Sequence, residues 1–339
     1  MIAGGELVGY LATRMRITDW HRQHPELADV EVRPPIVILG QPRTGTTILF
    51  DILAQDPAHR MPMTWEVDAP WPPPETATYD SDPRIAESQA TLEGAELLIP
   101  GFLGIHAMGA RLGQECVRIT GGDFRSMIFS TQYRVPTYLD WLHHEADMAP
   151  AYRYHRRFLQ HLASRHPAER WLLKSPAHLW SLGALVDEYP DALLVQTHRD
   201  PLRVVASLAS LMSVLRRLGT DESTVRECGA EIADMIVEGL DRSVDARLDG
   251  TVPADQIIDV QFGGFMADPM ATVRSIYDRL GIELTADAEK LMRAFIDDNP
   301  QDKHGGHQYS FADTELDAAA LRDRMRRYQE HFDVPSEKV

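Results

Sequence analysis

The sequence predicts an α/β fold in which a parallel sheet of the phosphate-loop type is flanked by helices. Short apolar runs alternate with longer helical patterns, which favours right-handed crossovers between parallel strands. The first run, IVIL at residues 36–39, is bounded by Pro35 and Gly40, a pattern typical of a buried strand. A glycine-bounded loop and a helical pattern follow it. We find no repeat and no clear linker, so residues 1–339 are predicted to form one domain.

The remaining elements follow in chain order. The first 33 residues read as an amphipathic helical extension, and a helix is expected from about Thr46 to the Asp56-Pro57 pair. Further strands are predicted at 170–176, 191–201 and 256–262. Helices are predicted in SLGALVDEYP, in LRVVASLASLMSVLRRLG up to Gly219, and in PMATVRSIYDRLGI.

Residues 58–170 are predicted to form a cap of helices and loops. The proline-rich stretch MTWEVDAPWPPPETATYDSDPR is expected to be irregular, and the sequence beyond it, to about 170, is expected to be helical. A long irregular segment next to a phosphate loop more often faces a substrate than links two elements, although a solvated connector is the alternative. Residues 300–339 are predicted to be a closing segment.

Composition excludes several functional classes. The chain of 339 residues is 44% apolar, and we find no apolar run long enough to span a membrane. Glu6 and Arg14 interrupt the stretch where a signal peptide would need apolar residues. Cys116 and Cys228 have no metal-binding spacing, which favours a reducing compartment and predicts a cytoplasmic protein. The net charge of −17 disfavours nucleic-acid binding.

The loop after the first strand has the form G-x-x-x-x-G-x-[ST], from Gly40 to Thr47. Its glycines allow backbone N–H groups to point inward around an anion, and Arg43 offers a fork for phosphate or sulfate oxygens. Thr46 replaces the lysine that ATP- and GTP-binding loops carry, and no strand-end aspartate suits Mg²⁺. The loop therefore predicts a 5′-phosphate with a charged group attached, bound without a metal.

A second anion site is predicted at the end of the third strand, in the sequence THRDP. Arg199 and Ser207 together offer a cation and a hydroxyl to another phosphate. The alternative is an ordinary helix start with a surface arginine. Arg43, Lys174 and Arg199 all follow strand ends, where ligands of parallel sheets bind.

The two motifs together resemble those of a known protein family. PRTGTT with THRDPLRVVAS resembles the 5′-phosphosulfate and 3′-phosphate motifs of the sulfotransferase family, which uses 3′-phosphoadenosine 5′-phosphosulfate (PAPS). WLLKSPAHL, YPDALLVQTHRDP and KHGGHQYS are similar to the branch found in bacteria and in tyrosylprotein enzymes. The similarity extends from about residue 35 to residue 310.

The resemblance implies roles for individual residues. One group would hold the 5′-phosphosulfate: Arg43, Thr44, Gly45, Thr46 and Thr47. Arg199 and Ser207 would hold the 3′-phosphate. Phe262 matches an aromatic position, although the usual YED is FGG here. The segment DKHGGHQYS resembles a loop that closes over the cofactor, which adds the following residues: His304, Gly305 and His307.

Sulfuryl transfer needs a base and a cation near the reacting atoms. Glu66 is predicted to be the base, because similar enzymes place a glutamate there and burial would raise its pKa. His178 is the rival base, because imidazole titrates near neutral pH. Lys174 would add positive charge beside the bridging oxygen. Each has a plainer alternative: a surface acid, a histidine at a helix start and a surface lysine.

The predicted activity is therefore transfer of a sulfuryl group from PAPS to a hydroxyl of a small or lipid-like acceptor. A phosphate-loop kinase and a non-catalytic nucleotide-binding protein are the alternatives. His304, His307 and Asp302 have no further ligands at a matching spacing, so no metal is predicted. The acceptor and the oligomeric state cannot be read from the sequence.

Overall fold

The computed structural model describes residues 2–98, 108–217, 220, 222–299 and 310–339. Its centre is a sheet of five strands in the order β2-β3-β1-β4-β5, with every neighbouring pair parallel. The strands are β1 (Ile36–Gly40), β2 (His59–Arg60), β3 (Arg170–Lys174), β4 (Leu193–His198) and β5 (Ile257–Gln261). The predicted fold class is confirmed.

Helices cover both faces of the sheet. In the first half of the chain they are α1 (Ile2–Gln23), α2 (Thr46–Leu53), α3 (Thr64–Asp68), α4 (Pro83–Leu98), α5 (Cys116–Thr120), α6 (Ile128–Gln132), α7 (Pro136–His144) and α8 (Ala149–Ala163). In the second half they are α9 (Leu182–Glu188), α10 (Pro201–Arg216), α11 (Val225–Leu248), α12 (Phe262–Ala267), α13 (Pro269–Leu280), α14 (Ala286–Asp298), α15 (Ala318–Arg324) and α16 (Arg326–His331). Among the described residues, none of the helices is both long and apolar enough to cross a membrane.

The core lies on the two faces of β1, whose five residues are all buried. Val37 and Leu39 pack with Trp171 on the face that α8 covers. Ile36 and Ile38 pack on the other face, against α2 and α13. A strand buried on both faces explains why IVIL is continuously apolar rather than alternating.

The structure departs from the predicted elements at several places. β2 is too short to leave a periodic pattern, and it was missed. The segment predicted to be irregular contains α3 and a 3₁₀ helix at Thr76–Ser81, so that prediction was partly wrong. Helix α11 occupies a stretch for which the sequence pattern had given no element. Gly219, the predicted stop of α10, lies outside the described residues, and α10 ends at Arg216.

Three neighbouring strands position the candidate site. β3, β1 and β4 are adjacent and parallel, so their carboxyl ends lie at one edge of the sheet. Lys174 ends β3, the glycine-bounded loop follows β1, and Arg199 follows β4 directly. The expectation that Arg43, Lys174 and Arg199 all follow strand ends is confirmed, and the structure shows that these strands are neighbours.

Candidate functional site: an anion-binding edge of the sheet

The loop between β1 and α2 turns through three residues with positive φ. Gly40 has φ of 133° and Gly45 has φ of 94°, both in a region that favours glycine. Arg43 has φ of 69°, in the left-handed region that side chains with a Cβ rarely adopt. A strained arginine between two turning glycines is a local arrangement that the rest of the loop must hold in place.

Hydroxyl contacts fix this loop to the sheet. The Thr44 hydroxyl donates to the carbonyl of Gln41 at 2.6 Å and lies 2.5 Å from the Thr197 hydroxyl on β4. Gly40 passes so close to Thr197 that a Cβ at position 40 would overlap the Thr197 hydroxyl and carbonyl. Thr44 is buried, and its hydroxyl contacts both the loop and β4.

The two predicted anion motifs meet at Arg43. Its Nε donates to the Ser207 hydroxyl at 3.1 Å, and its carbonyl accepts from Arg199 Nη1 at 3.2 Å. The Arg199 guanidinium lies 4.0 Å from the centre of the Phe262 ring, within cation–π range. Contacts therefore run from Ser207 through Arg43 and Arg199 to Phe262, four residues that the sequence analysis had singled out.

A carboxylate from near the carboxyl end of the chain contacts the same arginine. Glu337 accepts from Arg199 Nε at 2.8 Å and from Nη2 at 3.0 Å, a bidentate pair, and lies 3.7 Å from Arg203 Nε. Its backbone N–H donates to Asp200 Oδ2 at 2.5 Å. An acidic side chain thus holds the guanidinium that is predicted to receive a phosphate.

The second half of the loop contacts Lys174. The Lys174 side chain is 4% exposed. Its ammonium donates to the Thr47 hydroxyl at 3.2 Å and lies 3.3 Å from the Glu115 carboxylate. It also lies 5.2 Å from the centre of the Phe50 ring. Burial raises the pKa of Asp51, on α2, to about 6, and the charge of Lys174 opposes that rise.

Glu66 has different surroundings. It is fully buried in α3, where one carboxylate oxygen accepts from Arg60 Nη2 at 2.6 Å and the other from the backbone N–H of Met63 at 2.8 Å. Arg60 also lies 4.6 Å from the Trp171 ring centre. The described contacts of Glu66 are therefore with the core beside the amino-terminal half of β3. Each of its two carboxylate oxygens already accepts a hydrogen bond.

His178 lies in a 3₁₀ helix at Pro176–Trp180, just after β3. Its Nδ1 is 2.7 Å from the Tyr152 hydroxyl, whereas its buried Nε2 has no hydrogen-bond partner among the described residues. Burial lowers the pKa of His178 to about 3, and the nearby His155 adds to that effect. The imidazole is therefore neutral at physiological pH.

A small cavity of about 20 Å³, with room for little more than one water molecule, lies beside His178. Polar groups in its wall include Ser175, His178 and Tyr152. Its apolar lining comes from the following residues: Val117, Met127, Leu142, Met148 and Trp180. Ser175 and Cys116 line it directly, whereas Lys174 and Glu115, their neighbours in the chain, are not part of its lining.

Some predicted residues cannot be placed. His304, Gly305 and His307 lie outside the described residues, so their predicted contact with a cofactor stays a prediction. Within the described part of the chain, no group of three or more His, Cys, Asp or Glu side chains is arranged to hold a metal ion. Thr46 is buried at the start of α2, as expected for a residue that follows the turn.

Sequence reasoning missed Glu115, Glu337 and Asp51. Glu115 is the residue before α5 and Glu337 follows the last helix, so neither belongs to a motif that would have drawn attention. Asp51 lies one helical turn after Thr47, and this spacing is a signal that could have indicated a carboxylate close to the loop.

A sequence model described as the sulfotransferase family matches residues 34–287 of the chain. Two crystal structures are similar to the fold: sulfotransferase STF9 from Mycobacterium avium, at 30% identity and a TM-score of 0.88, and sulfotransferase STF1 from Mycobacterium tuberculosis, at 33% identity and a TM-score of 0.83. The first alignment covers 99% of this chain and 86% of the other, and the second covers 96% and 85%.

A characterised relative is the omega-hydroxy-beta-dihydromenaquinone-9 sulfotransferase Stf3 of Mycobacterium bovis, which is 25% identical over 262 residues. That match covers 74% of this chain and 63% of the relative, so somewhat less than two thirds of the relative's length is matched. The family match includes the loop, Lys174, Arg199, Ser207 and Phe262. The chain therefore belongs to the sulfotransferase family.

Proposed function

We propose that this protein is an enzyme that transfers a sulfuryl group from PAPS to a hydroxyl of a small or lipid-like acceptor. The observation that carries the proposal is the direct contact of Arg43 with both Ser207 and Arg199 at adjoining strand ends. These contacts bring the two predicted anion sites together, as a nucleotide with a 5′-phosphosulfate and a 3′-phosphate requires. Family membership supports the same activity.

The residues fit this donor. Arg43, Lys174 and the amino terminus of α2 supply positive charge where the phosphosulfate would lie, since α2 begins at Thr46. Arg199 and Ser207 would take the 3′-phosphate, with the Phe262 ring packed on the guanidinium. Because these groups are positioned before reaction, they would stabilise charge on the leaving phosphate without reorganisation.

The acceptor is proposed to be a hydroxyl on a largely apolar molecule. A relative is named for a hydroxylated menaquinone, which is a largely apolar molecule. In-line attack of an acceptor hydroxyl on the sulfuryl group would need a base, for which Glu66 and His178 stay the two predictions from sequence.

The test is calorimetric binding of adenosine 3′,5′-bisphosphate, compared with ATP in the presence and absence of Mg²⁺. We expect metal-independent binding of the bisphosphate that weakens at least 10-fold in Arg199→Ala. Arg226→Ala is the matched control, because Arg226 is 70% exposed and pairs with Glu315 on the surface. A preference for Mg·ATP, or equal affinity in wild type and Arg199→Ala, would contradict the proposal and favour a phosphate-loop kinase.

A further inference from the structure

We infer that Glu115 is the base that removes the proton from the acceptor hydroxyl, an inference that rests on the proposed sulfuryl transfer. The carboxylate lies 3.3 Å from the Lys174 ammonium, which donates to Thr47 in the phosphate loop. One ion pair and one hydrogen bond thus join Glu115 to the place where the sulfuryl donor is proposed to bind. This carboxylate is assigned no role by the motifs of the chain.

The backbone places Glu115 beside the predicted donor site. Glu115 precedes α5, and Lys174 ends β3, the strand next to the one that the glycine-bounded loop follows. An acceptor hydroxyl that reaches the Thr47 end of this loop therefore lies close to the Lys174–Glu115 pair.

The accessibility of Glu115 also suits a base. Its side chain is 23% exposed, whereas that of Glu66 is fully buried. A substrate can approach the first carboxylate without breaking the core. Reaching Glu66 would require the loss of its charged hydrogen bond to Arg60.

The other rival groups are less suited to take a proton. Burial lowers the pKa of His178 to about 3, so the protonated imidazole that a base must become is strongly disfavoured there. Asp51 is close enough to Lys174 for their charges to interact, but the two do not form an ion pair within 4.0 Å among the described contacts. Glu115 combines contact with Lys174 and a partly exposed side chain.

The proposed transfer forms one bond to sulfur and breaks another. The acceptor oxygen forms a bond to sulfur while the bond between sulfur and the bridging phosphate oxygen breaks, and that electron pair stays on the phosphate. The acceptor proton passes to Glu115. The products are a sulfate ester, adenosine 3′,5′-bisphosphate and a neutral Glu115, which then returns its proton to water.

Lys174 connects the predicted donor site with Glu115. Its ammonium lies 3.3 Å from the Glu115 carboxylate and donates to Thr47 in the loop. Phosphosulfate oxygens at the loop would compete with the carboxylate for the same ammonium, since an opposite charge within a few ångströms favours pairing.

The test follows consumption of PAPS and formation of sulfate ester, with 1-octanol, farnesol, an omega-hydroxylated menaquinone and water as acceptors. We expect Glu115→Gln to lower kcat by about 10²–10⁴-fold, the usual range for loss of a general base. Glu115→Asp should retain part of that activity. The fall in kcat/KM on acidification should be present in wild type and absent in Glu115→Gln. Glu93→Gln, an exposed glutamate on α4, is the control.

Several results would overturn the inference. One is a kcat in Glu115→Gln within 3-fold of wild type. Another is a large loss of kcat in Glu66→Gln, Asp51→Asn or His178→Gln while Glu115→Gln stays active. If wild type consumes no PAPS with any of these acceptors, no transfer exists for a base to assist, and the inference also fails.

Binding of adenosine 3′,5′-bisphosphate separates this failure from failure of the proposed function. Glu115→Gln keeps Arg43, Arg199 and Ser207, so we expect it to bind the bisphosphate within about 5-fold of wild type, which also shows that the variant is folded. Normal binding with unchanged turnover would reject Glu115 alone. Absence of bisphosphate binding in wild type would reject the sulfotransferase activity itself.

Discussion

Glu337 holds the arginine that is proposed to receive the 3′-phosphate, so removing its charge should strengthen nucleotide binding. In Glu337→Gln, the backbone N–H that donates to Asp200 is kept, and so are the hydrogen bonds that Ser336 accepts from Arg322 at 2.6 Å and from Gln329 at 3.3 Å. The segment is therefore expected to stay in place. Only the negative charge beside Arg199 and Arg203 is lost.

The magnitude follows from the exposure of the pair. Arg199 is 15% exposed and Glu337 is 33% exposed, so the contact is neither fully solvated nor buried. Exposed ion pairs contribute up to about 1 kcal/mol, and charged hydrogen bonds contribute about 1.5–3 kcal/mol. Because this bidentate pair is partly exposed, we take an intermediate contribution of about 1–2 kcal/mol. A phosphate that must displace the carboxylate should therefore bind about 5- to 30-fold more tightly to the glutamine variant.

Calorimetry with two nucleotides isolates the effect. Adenosine 3′,5′-bisphosphate should gain affinity in Glu337→Gln, whereas AMP, which lacks the 3′-phosphate, should not. The gain should shrink between 50 and 300 mM salt, because a partly exposed charge is screened. Glu330→Gln is the control, since Glu330 is exposed on α16.

Two outcomes would refute this reasoning. Weaker bisphosphate binding in Glu337→Gln would mean that the carboxylate orients the Arg199 fork for its ligand. An equal gain for AMP and for the bisphosphate would mean that Glu337 acts on the general potential of the site and not on the 3′-phosphate.

Three further predictions concern stability, all measured by urea denaturation. Gly40→Ala should lower the free energy of unfolding by several kcal/mol, because the new Cβ would overlap Thr197, while Gly263→Ala, with open space around it, should not. Thr44→Val should cost about 1–3 kcal/mol through two lost hydroxyl contacts. Burial lowers the pKa of His155 to about 3, so between that value and 6.5 the unfolded chain binds a proton that the folded chain does not. Stability should therefore fall as pH decreases, and His155→Gln should reduce the loss between pH 8 and pH 5.5 by about 1.4 kcal/mol.

The sequence was informative where the physical cause is local. Gly40, Gly45 and the apolar run before them form a strand, a turn and a helix start through short-range preferences, and the structure has these elements. The strand ends at Lys174 and near Arg199 could also be placed, because buried parallel strands are apolar throughout. The order of the strands was not predicted, so the adjacency of those ends is known only from the structure.

Partners that meet through tertiary packing could not be predicted. Arg60 belongs to a two-residue strand, and nothing in its neighbourhood in the chain indicates that it pairs with Glu66 inside the core. Glu115 meets Lys174 only because the chain before α5 packs against the end of β3. Such contacts depend on how segments far apart in the chain pack together. The local residue pattern does not show this packing.

At Arg43 the left-handed backbone lowers the stability of the fold, while the side chain makes a contact within the candidate site. A residue with a Cβ in this region costs about 1 kcal/mol or more relative to glycine. Arg43→Gly would relieve that strain, and a search for stabilising substitutions would select it. The same change would remove the guanidinium that joins the loop to Ser207, so a thermostable variant obtained this way would have lost the contact between the two predicted anion sites.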